Sequence, residues 1–400
     1  MANKRSTILW ISCLAHAVQD GLTAAVYVLL PVLAQSLGLN LGEVGLLKGL
    51  KGLVQGLLEM ASGIVSERFG DAPLLAFGLL VSGAGYLLFS QADGITGILV
   101  CLILVGVGTA FQHAPSSALV SRAFVSGGRR GALGLYNSSG DAGKLAYATC
   151  FSLAIGAGFA WPSATTAFGF SGVAAAVVIL LAVPHLFRRM PPEQVADASR
   201  KKTETGEAAE GWGILDRRGF ITLFLVVFLD SLVQAGTLTF AAFLMLAKGV
   251  PLATATFAAT AILIGGMFGK AICGFLADKI GPRLAFALIQ VLTTTGIAAV
   301  VFVPGYHAYI LLPFLGVVLQ GSTSITYSMV NDLVHESRAS RGFALIYGGA
   351  SFSSVAGPLG CGVLGDVFGI ETAMLVMAVT AVTTIPPCLY LRVKQKDSPQ

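Results

Sequence analysis

Apolar stretches follow one another along the whole chain, most of them about as long as the roughly 20 residues a helix needs to cross a bilayer. They lie near 7–34, 43–65, 72–92, 95–120, 131–158, 170–187, 219–247, 252–276, 283–304, 308–330, 342–365 and 371–391. No other feature restricts the fold as much. A soluble domain carries about 25% charged residues. Here the share is 11%, beside 55% apolar residues, in a chain of 400. So few charges cannot clothe a soluble surface. A soluble enzyme, a nucleic-acid binder and a secreted disulfide scaffold are excluded. The expectation is an all-α integral membrane protein of twelve transmembrane helices, with the lipid bilayer as its solvent.

The six cysteines, Cys13, Cys101, Cys150, Cys273, Cys361 and Cys388, stand singly in apolar stretches. They lack the paired spacing of a zinc site or a disulfide frame, and no metal or other cofactor is expected. Lys4 and Arg5 ahead of an apolar run imitate a signal peptide. The run continues through Val32, so a retained first span is expected instead.

Only 188–218 is strongly polar, with Arg188-Arg189, Pro191-Pro192 and Arg200-Lys201-Lys202. It reads as a flexible linker between an N-terminal six-helix bundle, 1–187, and a C-terminal one, 219–400. With both termini on one side, that side collects 20 of the 25 Lys and Arg residues, and the opposite loops hold only Lys248. The positive-inside rule then predicts cytoplasmic termini in the cell inner membrane. It also explains the net charge of +5 without a nucleic-acid partner.

The chain repeats itself at an offset of 211. Gly63, Glu67, Arg68 and Gly70 map onto Gly274, Asp278, Lys279 and Gly281, and Arg130-Gly131 with Tyr136 map onto Arg341-Gly342 with Tyr347. Two matches at one offset predict duplicated halves. Six spans is an even number, so both halves insert with the same polarity, as in transporters built from parallel repeats.

Gly274-x-x-x-Asp278-Lys279-x-Gly281-x-Arg283 resembles the loop signature of the major facilitator superfamily. The first copy departs from it, with Glu67 for Asp and Ala72 where Arg belongs. The resemblance spans the whole chain. It implies two pseudo-symmetric six-helix bundles, a cytoplasmic gate at these two loops, and a central cavity lined by spans 1, 4, 7 and 10.

An ionisable group at mid-bilayer costs at least about 2.5 kcal/mol, so it should face a cavity or a partner. Span 1 carries His16 and Asp20, one turn apart on one face, a candidate proton-coupling pair. Lys48, Lys51, Gln55 and Glu59 form a stripe on span 2, with Lys51 a candidate for the cavity. Span 5 holds Asp141 and Lys144: either a local ion pair, or a titrating carboxylate beside an anion-attracting lysine. Asp230 and Gln234 in span 7 suggest a second proton site or a substrate contact, since Asp230 is one residue off the repeat position of Asp20. His113 beside Pro115 in span 4, and Gln320 to Tyr327 in span 10, suggest binding surfaces. Lys270 in span 8 is a further intramembrane charge.

His16-x-x-x-Asp20 with Pro31, and the His113, Pro115, Ser116-Ser117 neighbourhood, resemble the fosmidomycin-resistance type of efflux protein. Ala114 separates His113 from Pro115, where that type has them adjacent. This resemblance implies proton-coupled efflux, by antiport, of a small anionic drug or toxic compound. Efflux of a metalloid such as arsenite, or proton-coupled uptake of a small metabolite, would use the same scaffold. No ATP-binding loop is present, no catalytic motif supports an enzyme, and a monomer is expected.

Overall fold

The computed structural model describes residues 2–124, 128–187, 212–335 and 339–391. Among the described residues the chain is helical apart from one isolated β-bridge. The first half runs α1 (Ala2–Leu37), α2 (Leu41–Phe69), α3 (Asp71–Leu88), α4 (Gly94–Ala110), α5 (His113–Ala123), α6 (Arg129–Gly156) and α7 (Trp161–Phe187). The second runs α8 (Arg217–Ala247), α9 (Phe257–Ile280), α10 (Pro282–Phe302), α11 (Ala308–Leu333), α12 (Ala339–Phe368), α13 (Ile370–Thr383) and α14 (Ile385–Tyr390). Nine spans among the described residues are long and apolar enough to cross a membrane, with α4–α5 and α13–α14 each forming one. Helices α2, α6 and α12 are as long, at 29, 28 and 30 residues, but richer in glycine and hydroxyl side chains. Large apolar groups such as Ile64, Leu181, Phe302 and Phe314 point outward, where lipid rather than water suits them.

The duplication is visible in the backbone. Left-handed glycines at Gly38, Gly70, Gly94 and Gly158 recur 211 residues later at Gly249, Gly281, Gly305 and Gly369. Each closes one helix or opens the next, a conformation only glycine adopts cheaply. Gly70 and Gly281 are nearly superimposable, at φ/ψ 85/149 and 85/147.

Three boundaries differ from the sequence expectation. The fourth span breaks at Phe111–Gln112, and Pro115 falls in the first turn of α5. Proline cannot donate to the carbonyl four residues back, so the helix must restart there. Helix α7 begins at Trp161, nine residues before the expected sixth span, with Pro162 in its first turn, a favoured place for proline. The linker expected over 188–218 lies largely outside the described residues. Its described end is not loose: Leu215 N–H donates to Leu333 O at 2.9 Å and His335 N–H to Gly213 O at 2.8 Å.

Small residues let the helices touch. A Cβ at Gly143 would run into the Ala17 carbonyl, and one at Gly45 into the Pro358 carbonyl. The first contact welds α6 to α1. The second joins α2 to α12 across the two halves. In lipid, such close backbone approach replaces the hydrophobic drive that water would supply. Lys248, the lone basic residue of the opposite loops, donates to Val301 O at 2.6 Å and Val303 O at 2.7 Å. It thereby caps the C-terminus of α10.

At the end remote from the N-terminus, the α2–α12 seam is shut by a carboxylate. Asp366 accepts from the Leu41 and Gly42 N–H groups, each at 2.8 Å, the first two unpaired donors of α2. Asn40 and Glu43 close the rest of that turn as a capping box.

Gly143→Val is expected to prevent accumulation of folded protein, read by size-exclusion chromatography in detergent. Gly131→Ala, where an added Cβ meets nothing within 4 Å, should behave as wild type.

Candidate functional site

A cavity of about 980 Å³ lies between the halves. Its lining comes from the first halves of α1, α6 and α12 and the second halves of α2, α9 and α11, together with α5. It therefore opens on the side that holds the N-terminus, opposite the Asp366 closure. A smaller chamber of about 140 Å³ lies deeper, lined by Thr23, Tyr27 and Gln320 among others. Asp141, Lys144, Met267 and Lys270 line both spaces.

The charges between them form one ladder. His16 Nε2 is 3.2 Å from Asp20 Oδ2, and Lys144 Nζ is 3.0 Å from the same oxygen. Lys144 also reaches Asp141 Oδ1 at 3.2 Å, and Lys270 Nζ lies 2.8 Å from Asp141 Oδ2. His113 Nε2 stands 3.9 Å from Asp20 Oδ1. Lys270 belongs to the C-terminal half, so the ladder crosses between the halves. Its two carboxylates balance its two ammonium groups, and each buried charge has a partner, as low dielectric demands.

His16 is held in one orientation. Its Nδ1 is 2.9 Å from the Tyr136 carbonyl oxygen, and its ring stacks on Tyr136 with centroids 4.2 Å apart. A carbonyl only accepts, so Nδ1 carries the hydrogen. Nε2 and Asp20 Oδ2 can then bond only if one proton sits between them, on either partner. Gly140 makes room for this ring, because a Cβ there would meet it.

The other candidates separate. Tyr327 lines the large cavity in an edge-to-face pair with Tyr347, centroids 4.9 Å apart. Gln320 lines the small chamber. Lys51 is buried, donates to Gln55 Oε1 at 2.7 Å and lines neither space. It lies on the stretch of α2 that packs against α4, where Gly106 meets the Lys51 carbonyl. Asp230 and Gln234 also line neither space. Asp230 accepts from Gln290 at 2.6 Å, from Gln234 at 2.9 Å and from Ser322 at 2.9 Å. Its partner by the repeat is Gln19, which donates to Ser82 at 2.7 Å and Thr109 at 3.0 Å. Each ties the first helix of its half to the third and fourth spans. Asp230 thus matches the packing clamp Gln19, not Asp20, and the one-residue mismatch in offset marks the difference.

Among the described residues expected at the gate, Lys279, Arg68 and Arg283 make their side-chain contacts within their own half in this conformation. Lys279 lies over the Phe275 ring at 4.6 Å, Arg68 over Phe69 at 5.6 Å, and Arg283 donates to Leu391 O at 2.9 Å. Asp278 is exposed. The side-chain surroundings of Gly63 and Glu67 lie outside the described residues. Sequence reading missed Asp71, which is buried, pairs with Arg122 and accepts from Ser66. It pins the Gly70 turn to α5, and an acidic residue opening a helix was its only sequence signal.

Lys270 was also missed as a site residue. Of the spans expected to line the cavity, 1, 4 and 10 do, joined by spans 2, 5, 8 and 11, which supply Lys270 and Asp141; span 7 reaches only the small chamber, through Leu238. His16, Asp20 and His113 offer three donor atoms within 4.8 Å, but the Lys144 ammonium already supplies a cation at Asp20. None of the six cysteines lines either space, so the cavity offers no thiol to a metalloid such as arsenite.

Residues 12–312 and 223–400 match the Major Facilitator Superfamily. The chain belongs to that superfamily. An uncharacterized MFS-type transporter of Bacillus subtilis (strain 168), YfnC, is 25% identical over 378 residues, covering 93% of this chain and 89% of YfnC. Among solved structures, a bacterial homolog to the human lysosomal transporter Spinster, in an inward-facing and occupied conformation, is similar with a TM-score of 0.79. It has 16% identity and 96% of both chains covered. A mutant of the nucleoside transporter NupG is similar with a TM-score of 0.74 and 11% identity, over 96% of this chain and 99% of NupG. These likenesses carry the fold. As a member of the superfamily the chain is a multi-pass membrane transporter of small molecules, not an enzyme.

The clamp assignment is testable. Asp230→Leu strands buried donors and should cost about 1–3 kcal/mol, read as a lower melting temperature. Asp230→Asn keeps an acceptor and should lose less, with transport and its pH profile retained. A flattened pH profile in Asp230→Asn would return Asp230 to the proton pathway.

Proposed function

We propose that this transporter is proton-coupled and moves a small organic anion by alternating access, with His16 and Asp20 as the proton site. One observation carries the reading: His16 Nε2 lies 3.2 Å from Asp20 Oδ2 while its Nδ1 faces the Tyr136 carbonyl, a gap that one proton can bridge, at the cavity wall and beside the Lys144 ion pair. Loss or gain of that proton changes how strongly Asp20 holds Lys144, and Lys144 holds Asp141 and Lys270 in turn. Proton occupancy in one half is thereby linked to an ion pair between the halves. The open side of the cavity carries the basic loops, so the conformation reads as inward-facing, with both termini cytoplasmic. The division into halves at 1–187 and 219–400, joined by a cytoplasmic linker, belongs to the same proposal. So does the gate at the loops around Arg68 and Lys279, whose groups would meet across the halves only when the inner side closes.

Two directions of transport are supported by different observations. The His16-x-x-x-Asp20 resemblance to the fosmidomycin-resistance type supports efflux by antiport. The charge balance of the ladder supports uptake: with the proton bound the ladder carries one positive charge in excess, and an added anion cancels it, so anion and proton travel together.

Proton flux in inverted vesicles tests both. A cargo-triggered pH change is expected in wild type, and Asp20→Asn should reduce it at least about tenfold while leaving the protein folded. The sign of the change gives the direction. Flux that persists in Asp20→Asn with an unchanged pH profile removes Asp20 from the coupling site.

A further inference from the structure

Asp141 is an unusual carboxylate. Both of its oxygens lie 2.8–2.9 Å from Lys270 Nζ, and Lys144 Nζ reaches it at 3.2 Å. One carboxylate is thus held between ammonium groups from opposite halves of the molecule. The Lys270 side chain is 42% exposed and that of Lys144 32%, against 17% for Asp141. The lysines are the more exposed members of the trio. The trio also forms part of the wall shared by the large cavity and the small chamber. Elsewhere the lining of the large cavity includes Met60, Met267, Phe343, Tyr327 and Tyr347, a polarisable and aromatic stretch suited to an apolar body, beside Glu59 and hydroxyl groups such as Thr323.

We propose that Asp141 is a built-in stand-in for the carboxylate of the substrate, and that the substrate is an amphipathic organic anion with an aromatic or aliphatic body. The reading rests on anion transport as proposed above. A diffusible carboxylate replaces Asp141 between Lys144 and Lys270, keeping two charge-assisted hydrogen bonds of the same kind. Its body lies along the Tyr327 and Tyr347 wall. Displaced from the lysines, Asp141 no longer ties α6 to α9, so substrate binding trades an ion pair between the halves for one the substrate itself bridges. A small inorganic anion would satisfy the lysines but leave the aromatic wall uncovered, and a cation would meet two ammonium groups. Lys270 becomes a specificity residue for the carboxylate.

The stand-in role has a sign that a plain contact residue lacks: removing the competitor strengthens binding. Purified protein in detergent is titrated by calorimetry with 4-phenylbutyrate, its neutral amide, acetate, and a phenylpropyl-trimethylammonium salt. 4-Phenylbutyrate should bind, with the amide and acetate each weaker by about tenfold or more. Asp141→Asn should tighten 4-phenylbutyrate about tenfold, Lys270→Gln should weaken it about tenfold, and Lys270→Arg should stay within about threefold of wild type. The wild-type melting temperature should rise with 4-phenylbutyrate and not with the amide, a readout that needs no variant to fold. Weaker or unchanged binding in Asp141→Asn overturns the proposal. So does amide or ammonium binding as tight as the carboxylate, or no binding of the carboxylate. Equilibrium binding needs no gradient. A tightened Asp141→Asn with no proton flux would therefore sink the coupling and keep the stand-in, whereas proton flux driven by cationic cargo would do the reverse.

Discussion

Four formal charges set between two helical bundles, one buried and three half-buried, must neutralise one another, and the cavity is arranged around that requirement. Asp20, Lys144, Asp141 and Lys270 do so in sequence, each within 3.2 Å of the next. Removing one member would leave another charge uncompensated, which costs far more than the pair itself contributes. The ladder is therefore a constraint before it is a device. In the proposed cycle it becomes one, because one end bears two histidines and the other end belongs to the opposite half. A change in charge at His16 or Asp20 is felt at Lys270 without any contact between them.

Closure at the far side is built from different materials. There the α2–α12 seam relies on glycine contacts and on Asp366 capping the start of α2 from the other half. A carboxylate on a helix N-terminus is a favourable but exposed interaction, easily exchanged for water when that side opens. At the open side the loop charges Arg68, Asp278 and Lys279 are exposed in this conformation. Strong, balanced ion pairs sit at the centre, and weaker, wettable ones at the rims. That is the distribution expected of a body that rocks about a central site.

Most of the fold was legible in the sequence. Apolar runs of bilayer length, the bias of Lys and Arg between loops, and matching glycines at an offset of 211 reflect local or additive physics, so each is readable without knowing which helices touch. The candidate site was legible in kind: costly intramembrane charges mark the helices that line the cavity, and His16, Asp20, His113, Asp141 and Lys144 do meet. Lys51 and Asp230 show the limit. Both carry the same signal as Asp20, yet one bonds to Gln55 and the other clamps three helices. A charge in a span needs a partner, but its sequence does not say whether that partner is a ligand, a neighbour on the same helix or an amide two helices away.

Sequence alone thus determined that the chain spans the membrane as a helical transporter with two related halves, because hydrophobic length and repeat are properties of segments. Tertiary structure decided which charges pair. It put Lys270 on Asp141, set Asp230 as the counterpart of Gln19, fixed the His16 tautomer through the Tyr136 carbonyl and left the cavity open on one side. Each of these depends on groups more than 50 residues apart brought within 4 Å, and such proximity is a property of packed helices, not of any one of them.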